Sequence, residues 1–389
     1  MSRASVEMRF EDGSTLSHFI KLEHTEQFSN PVDELTFVCA PPRDQIAEYS
    51  DRLDTNRIVS FRVNNKPQAA CVVTRCEQLS DPDNGTIFSV TAKSPIHLLY
   101  ESTVPYETEV KALSADKPIL DLVASICEPF GLGEVYAEND IAVIKAKTGR
   151  APKGLTATPA AGVKYKNAVP QPNESCYQFI NRILSRLGLI LRCDAVFGGL
   201  YITRPHYDQQ WLYAFKQAPD GPAGWETFEG AVRVARDSSN QYSFVECTGV
   251  SDDTKSATSA DRPLFKAYSA AINSKRPPFK AGQYITHKPC FYRDTSCQTK
   301  QQAKGTALLV MGERAEQAFG VEGQVANIVS VDGVPFTVDT IGHLYLPLFG
   351  LDEEMWLAQR TISVDADGGA STRLRFIPKG YYTIGELPS

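Results

Sequence analysis

The chain has 389 residues, of which 42% are hydrophobic and 10% aromatic, and its 40 Lys and Arg against 46 Asp and Glu leave a formal charge of −6. That apolar content excludes global disorder, the charge gives no general footprint for nucleic acid, and no run of 18 apolar residues marks a membrane-crossing helix. The start MSRASVEMRFEDGS lacks a signal-peptide core and the nine cysteines are sparse and odd in number, which predicts a soluble chain of two to three domains, made inside the cell with reduced thiols.

The first hundred residues read as strands. Val6–Phe10 ends at the turn Glu11-Asp12-Gly13, and the stretch from Leu16 to Phe28 alternates roughly. From Glu34 to Ala40 the alternation is clearer, with Leu35, Phe37 and Cys39 on one face. IVSFRVNNK, ACVVTRCEQL and TIFSVTAKS follow, with a tight hairpin expected at Asn64-Asn65 and a positive φ at Gly85. This spacing predicts a small closed or nearly closed β-barrel over residues 1–100.

The period changes after Tyr100. Asp116 is the expected cap of a helix whose first turn holds Pro118, whose apolar stripe is Ile119, Leu120, Val123, Ile126 and Cys127, and whose end is Pro129. A second helix is predicted over 174–187, with Cys176, Ile180, Ile183, Leu184 and Leu187 inward and Gly188 at C′. LILRCD, a turn at 197–199 and LYITRP then make a hairpin, giving an α/β domain over 101–207. Within it, 149–162 reads as a surface loop and VKYKNAV as a short strand.

A Pro/Gly stretch opens the next boundary, and a strand pair within 228–249 begins a second barrel, its first part being 208–260. The polar run 251–262 reads as an exposed loop. An inserted strand-helix unit over 261–323 contains a helix near 298–319, capped by Asp294, Thr295 or Ser296 and closed by Gly320. Ala303, Ala307, Leu308, Met311, Ala315 and Ala318 are its apolar line. Four strands over 324–389 complete the second barrel. The predicted fold class is α+β, two small β-barrels with an α/β domain between them and a helical insertion in the second.

Sites of chemistry are not expected. The cysteines, at 39, 71, 76, 127, 176, 193, 247, 290 and 297, never have zinc-knuckle spacing, and His18, His24, His97, His206, His287 and His343 are scattered. His343 reads as a packed or hydrogen-bonded side chain. No nucleophile elbow, phosphate loop, dinucleotide fingerprint or metalloprotease motif is present. The acidic pairs Asp33-Glu34, Asp252-Asp253 and Glu353-Glu354 flank turns or loops and read as solvating. Lys164–Ala168 and Asn273–Lys280 carry too few charges to track a nucleic-acid backbone and suit an acidic protein surface better. Catalytic, cofactor-binding and metal-binding residues are therefore each expected to be none.

The order of these blocks resembles the baseplate hub proteins of contractile-tailed phages, most closely those of Mu-like phages. That family is related in fold to the T4 hub and to the N-terminal part of type VI secretion spike proteins. The resemblance rests on NPVDELTFVCAPPR (Asn30 to Arg43), SADKPILDLVASICEPFGL (Ser114 to Leu132), VPQPNESCYQFINRILSRLGLILRCDAVFGGLYITRP (Val169 to Pro205) and the closing helix with LYLPLFGLDEEMWLAQRTISVDADGGASTRLRF. In the third block the family's Q-P-G-E-T turn reads Gln171-Pro172-Asn173-Glu174-Ser175, with Asn in place of Gly.

The resemblance implies a homotrimer in which each chain donates two similar barrels to a pseudo-sixfold ring. That ring would adapt the sixfold tail tube, or a tube-initiator protein, to a threefold central spike. Other baseplate proteins would be further partners, with no cofactor, no specific nucleic-acid binding and no membrane-spanning segment. Assembly would take place in the host cytoplasm and the final location would be the virion tail baseplate. A siphophage-like tail-tip hub and a type VI-like hub stay open as alternatives, and a tail-associated hydrolase as a third from another class.

Overall fold

The computed structural model describes residues 4–16, 19–81, 85–104, 118–137, 140–150, 170, 173–185, 187–193, 199–217, 221–237, 239, 242, 244–250, 264–269, 288–294, 300–367 and 369–379. Asp116, His18, His287, Cys297, the Asp252-Asp253 pair and the segments 151–169, 251–262 and 273–280 lie outside them.

The N-terminal strands are β1 (Val6–Phe10), β2 (Thr15–Leu16), β3 (Phe19–Gln27), β4 (Glu34–Cys39), β5 (Ile58–Val63), β6 (Lys66–Asp81) and β7 (Gly85–Lys93). Their spatial order is β3-β4-β7-β6-β5-β1-β2. Alternation sorts the side chains as expected: Leu35, Phe37 and Cys39 of β4 are buried against Phe61, Val73, Phe88 and Val90. Asn64 and Asn65 take φ of 49° and 64°, the two positive angles that a two-residue hairpin needs, and Val63 pairs with Lys66 across them.

Six further strands close on themselves. They are β11 (Tyr213–Gln217), β12 (Glu226–Arg236), β16 (Phe319–Val325), β17 (Thr340–Leu346), β18 (Leu351–Asp365) and β19 (Gly369–Pro378), ordered β17-β11-β12-β16-β19-β18 with β18 returning to β17. Aromatic rings fill this barrel, with Phe215 and Phe228 stacked at 5.2 Å. Gly323 has to be glycine, because a Cβ there would lie 2.4 Å from the Phe228 ring.

The two sets of strands share one neighbour order, with the same antiparallel pairing except at the first strand, where β1 is antiparallel to β5 and β11 parallel to β17. β1-β5-β6-β7-β4-β3 follows the same neighbours as β11-β17-β18-β19-β16-β12. The likeness extends to register. β6 and β7 pair Val73 with Ala92, skip Thr74, then run from Arg75–Thr91 to Asp81–Gly85. β18 and β19 pair Leu357 with Phe376, skip Ala358, then run from Gln359–Arg375 to Asp365–Gly369. From Trp356–Ile377 onward, every residue of the second ladder is 284 positions beyond its counterpart, bulge included. Closure differs: β11 pairs with β12, whereas β1 pairs with β2, and among the described residues no pairing joins β1 to β3. One closed barrel, and one sheet of the same neighbour order that the described residues do not close, thus stand where a closed or nearly closed barrel and a second barrel are expected.

The α/β region is built on α3 (Ile119–Cys127), which follows the short α1 (Ile46–Arg52) and α2 (His97–Glu101), and on α4 (Asp140–Thr148), α5 (Cys176–Ser185) and the sheet β8 (Val135–Ala137), β10 (Leu200–Thr203), β9 (Ile190–Cys193). Leu122, not Leu120, completes the buried stripe of α3, since the helix begins at Ile119 directly after Pro118. α5 opens with a reciprocal capping box: the Gln178 N–H donates to Ser175 Oγ at 3.1 Å, and the Ser175 N–H to Gln178 Oε1 at 3.0 Å. Asn173 ahead of it has a φ of 62°, a left-handed position that asparagine adopts more readily than most residues. Leu187 lies in the turn after α5, half-buried, while Leu184 is fully buried. Leu184→Ala is expected to destabilise the chain by about 2–5 kcal/mol in urea unfolding, and an unchanged midpoint would contradict this packing.

Between β12 and β16 lies a separate unit, the sheet β14 (Leu264–Ser269), β13 (Phe244–Val250), β15 (Pro289–Arg293) beside α6 (Lys300–Ala318). β13, expected in the second barrel, belongs to this sheet because its partners are β14 and β15. Val245 and Cys247 pack there on Ala303, Ala307 and Met311. Gly320 does not end α6 but lies inside β16, paired with Ala235.

Candidate functional site at the junction of the two β units

β18 joins the two units. Its first half pairs with β17, and its second half pairs with β3, from Gln359–Gln27 to Asp365–Lys21. Alternation turns Leu22, His24 and Glu26 of β3, and Phe28 just after it, inward, so a carboxylate enters the core beside this seam.

Three cations converge on Glu26. Lys147 Nζ from α4 lies 2.8 Å from Oε1, Arg192 Nη2 from β9 3.1 Å from Oε1, and Arg360 Nη2 from β18 2.8 Å from Oε2. All four side chains are almost wholly buried. Arg360 also donates to Gln68 Oε1 of β6 at 2.8 Å and to the Phe336 carbonyl, and Arg192 donates to the Phe28 carbonyl at 3.2 Å. One carboxylate thereby fastens both β units to the α/β region.

α4 is held at its C-terminus. Lys66 Nζ donates to the Thr148 carbonyl at 2.7 Å, which places a cation at the negative end of the helix. Gly149 follows with a φ of 76°, a left-handed conformation that favours glycine.

The electrostatics follow from burial. Desolvation opposes ionising Glu26, but Lys147, Arg360 and Arg192 outweigh it and hold its pKa well below the usual carboxylate range. Asp33 is pushed up to about 6, first by burial and then by the charge of Glu26. His24 is pushed down to about 3 by burial and by Arg360, so it is neutral at pH 7.

These shifts have opposing signs in acid. The lowered His24 removes stability as pH falls from 6.5 towards 3, and the lowered Glu26 removes more below 4.5. The raised Asp33 adds stability as pH falls from about 6 to 3.8. Stability is therefore expected to change little between pH 6 and 4.5 and to drop steeply below 3.8. In Asp33→Asn the plateau is expected to vanish, with a gain on the order of 1–3 kcal/mol at pH 7. Urea titrations across this range would read it, and a mutant profile that keeps the plateau would contradict it.

A second polar knot lies nearby. Asp339 Oδ1 accepts from the His206 backbone N–H and from Trp356 Nε1, both at 2.9 Å, and Oδ2 lies 2.5 Å from His206 Nδ1.

The other residues considered from sequence do not converge. His97 Nδ1 lies 2.9 Å from the Ser94 carbonyl. His343 Nε2 lies 2.8 Å from Asp352 Oδ1, hydrogen-bonded as expected, with Trp211 and Trp225 edge-on to its ring. Asp33 is buried while Glu34 is exposed, and Glu354 pairs with Lys379. Among the described residues, no group of three or more His, Cys, Asp and Glu side chains is placed to hold a metal ion, and no helix is long and apolar enough to cross a membrane. An open hollow of about 630 Å³ beside α3 is lined by Asp121, Glu128 and Glu134, with neither histidine nor cysteine. Sequence reading missed the junction, although an acidic residue at an inward position of an alternating strand is its signal.

No protein-family model matches this chain, and no curated protein does. Solved structures do match. The tail protein from Neisseria meningitidis aligns with a TM-score of 0.69 at 14% identity, over 98% of each chain. The 43 kDa tail protein of prophage MuSo2 from Shewanella oneidensis aligns with a TM-score of 0.70 at 14% identity, over 98% of this chain and 100% of that one. A prophage tail protein from Listeria monocytogenes aligns with a TM-score of 0.51 at 10% identity, over 96% and 95%. Along nearly its whole length, the chain has the fold of phage and prophage tail proteins.

Proposed function

We propose that the chain is a structural tail hub subunit. Three copies form a ring, each giving its two β units, so that six near-equivalent surfaces face a sixfold tail tube while the trimer faces a threefold spike. What supports this above all is the duplicated wiring, down to the matching bulge, within one chain. Six alike surfaces on a threefold assembly require two alike units per subunit. The fold shared with tail proteins supports placement in a virion tail baseplate, and the family resemblance supplies the partner classes: tube or tube initiator, spike and other baseplate proteins. The segments 1–100, 101–207, 208–260, 261–323 and 324–389 are the working division of the chain into two β domains, the α/β domain and the insert. The role is mechanical and non-enzymatic, with assembly in the host cytoplasm.

The buried junction has a purpose in this reading. A ring closes only if the angle between the two β units is fixed, and Glu26 with its three cations ties strands from both units at one point. Solution mass tests the proposal: about 129 kDa, three times 42.9 kDa, is expected. A monomer at micromolar concentration would overturn it.

A further inference from the structure

The duplicated units leave two strand edges whose counterparts are paired. Within the chain, β18 uses residues 359–365 to pair with β3. Its counterpart β6 pairs with β5 only through residues 66–72, and its residues 75–81 pair with β7 alone. Among the described residues, no strand covers the other edge of that segment, and Leu79 on it is 69% exposed.

The matching edge lies on β12. β3 is wired to β4 as β12 is wired to β16: His24, Leu35, Ala92 and Val73 stand in one row across their sheet, and Val234, Val321, Phe376 and Leu357 stand in the same row of theirs. β3 gives its outer edge to β18. β12 pairs with β11 only through residues 226–228, so among the described residues the outer edge of 233–236 carries no strand.

We propose that residues 75–81 of one copy pair antiparallel with residues 231–237 of a second copy, repeating between chains the seam that β18 and β3 make within one. The inference rests on the ring reading above and names its interface. An unpaired edge is a template for another strand. Here the internal seam supplies the register. Gln359–Gln27 translates to Arg75 opposite Asp237, and Ser363–Glu23 translates to Leu79 opposite Arg233.

The one charged pair that faces directly in that register is opposite in sign. Arg75 meets an acid directly, and Glu77 stands opposite Ala235, diagonal to both Arg233 and Asp237. Arg75 and Arg233 are 70% and 75% exposed, so both reach an incoming strand. Opposite charges facing each other across a ladder stabilise it and like charges do the reverse. The contact is head-to-tail: each chain offers one edge of each kind, which generates a ring when the rotation closes.

Charge reversal tests this in the full chain. Arg75→Glu and Asp237→Arg, each alone, are expected to weaken assembly at least fivefold by sedimentation, and the double variant is expected to restore it. The two sites belong to different units, so rescue reports contact between copies, and unchanged melting of dilute single variants establishes that they fold. Wild-type rings with unaffected single variants, or a double variant no better than either, would overturn the pairing and leave the ring reading standing. A wild-type chain that stays monomeric would overturn both.

Discussion

Replacing Glu26 with glutamine is expected to destabilise the folded chain by about 3–5 kcal/mol, because three buried cations would lose the one carboxylate that they share. Lys147, Arg192 and Arg360 come from three elements, and none can withdraw to solvent without opening the seam between β3 and β18. The cations are almost wholly buried, so the desolvation penalty of each goes largely uncompensated once the charge is lost. Urea unfolding of the variant reads this as a lower midpoint. A change below about 1 kcal/mol, which is what an exposed ion pair is worth, would contradict the account of the junction.

Trp356→Ala is expected to cost a similar 3–5 kcal/mol. The indole is fully buried on β18, edge-on to Phe28 at 4.7 Å and to Tyr207 at 5.3 Å. Its Nε1 is one of the donors to Asp339, a residue held at a φ of 65°. Trp356→Phe separates the two contributions: it keeps most of the apolar volume and loses the donor, and should cost about 1–3 kcal/mol. Thermal melting of both variants checks the ranking. Equal losses would mean that the hydrogen bond, not the packing, dominates.

Much of the local structure was legible in the sequence, because local rules decide it. The Asn64-Asn65 hairpin, the alternation of β4 and the inward stripe of α5 follow from turn chemistry and periodicity, and the structure has them, with Leu187 alone falling beyond the helix. β11 escaped because its five residues sit among Pro and Gly, and its neighbours are β12 and the distant β17. α4 escaped because its anchoring groups, Lys66 and Gln68, lie on the distant β6.

The duplication was hidden for a different reason. Over the matching ends of β6 and β18, CEQLSD and RTISVD share only the final Asp, while register and bulge coincide. A ladder constrains which side chains face inward far more than which residues they are, so the wiring persists where identity does not. The charge cluster was equally hidden, because Glu26, Lys147, Arg192 and Arg360 have no common spacing and only the fold gathers them.

Imaging the purified chain by electron microscopy tests the central claim most directly. The account predicts a closed ring of three copies in which six β units alternate around a central opening, with threefold symmetry at one face and near-sixfold symmetry at the other. Isolated single copies, or open chains of copies that never close, would contradict it.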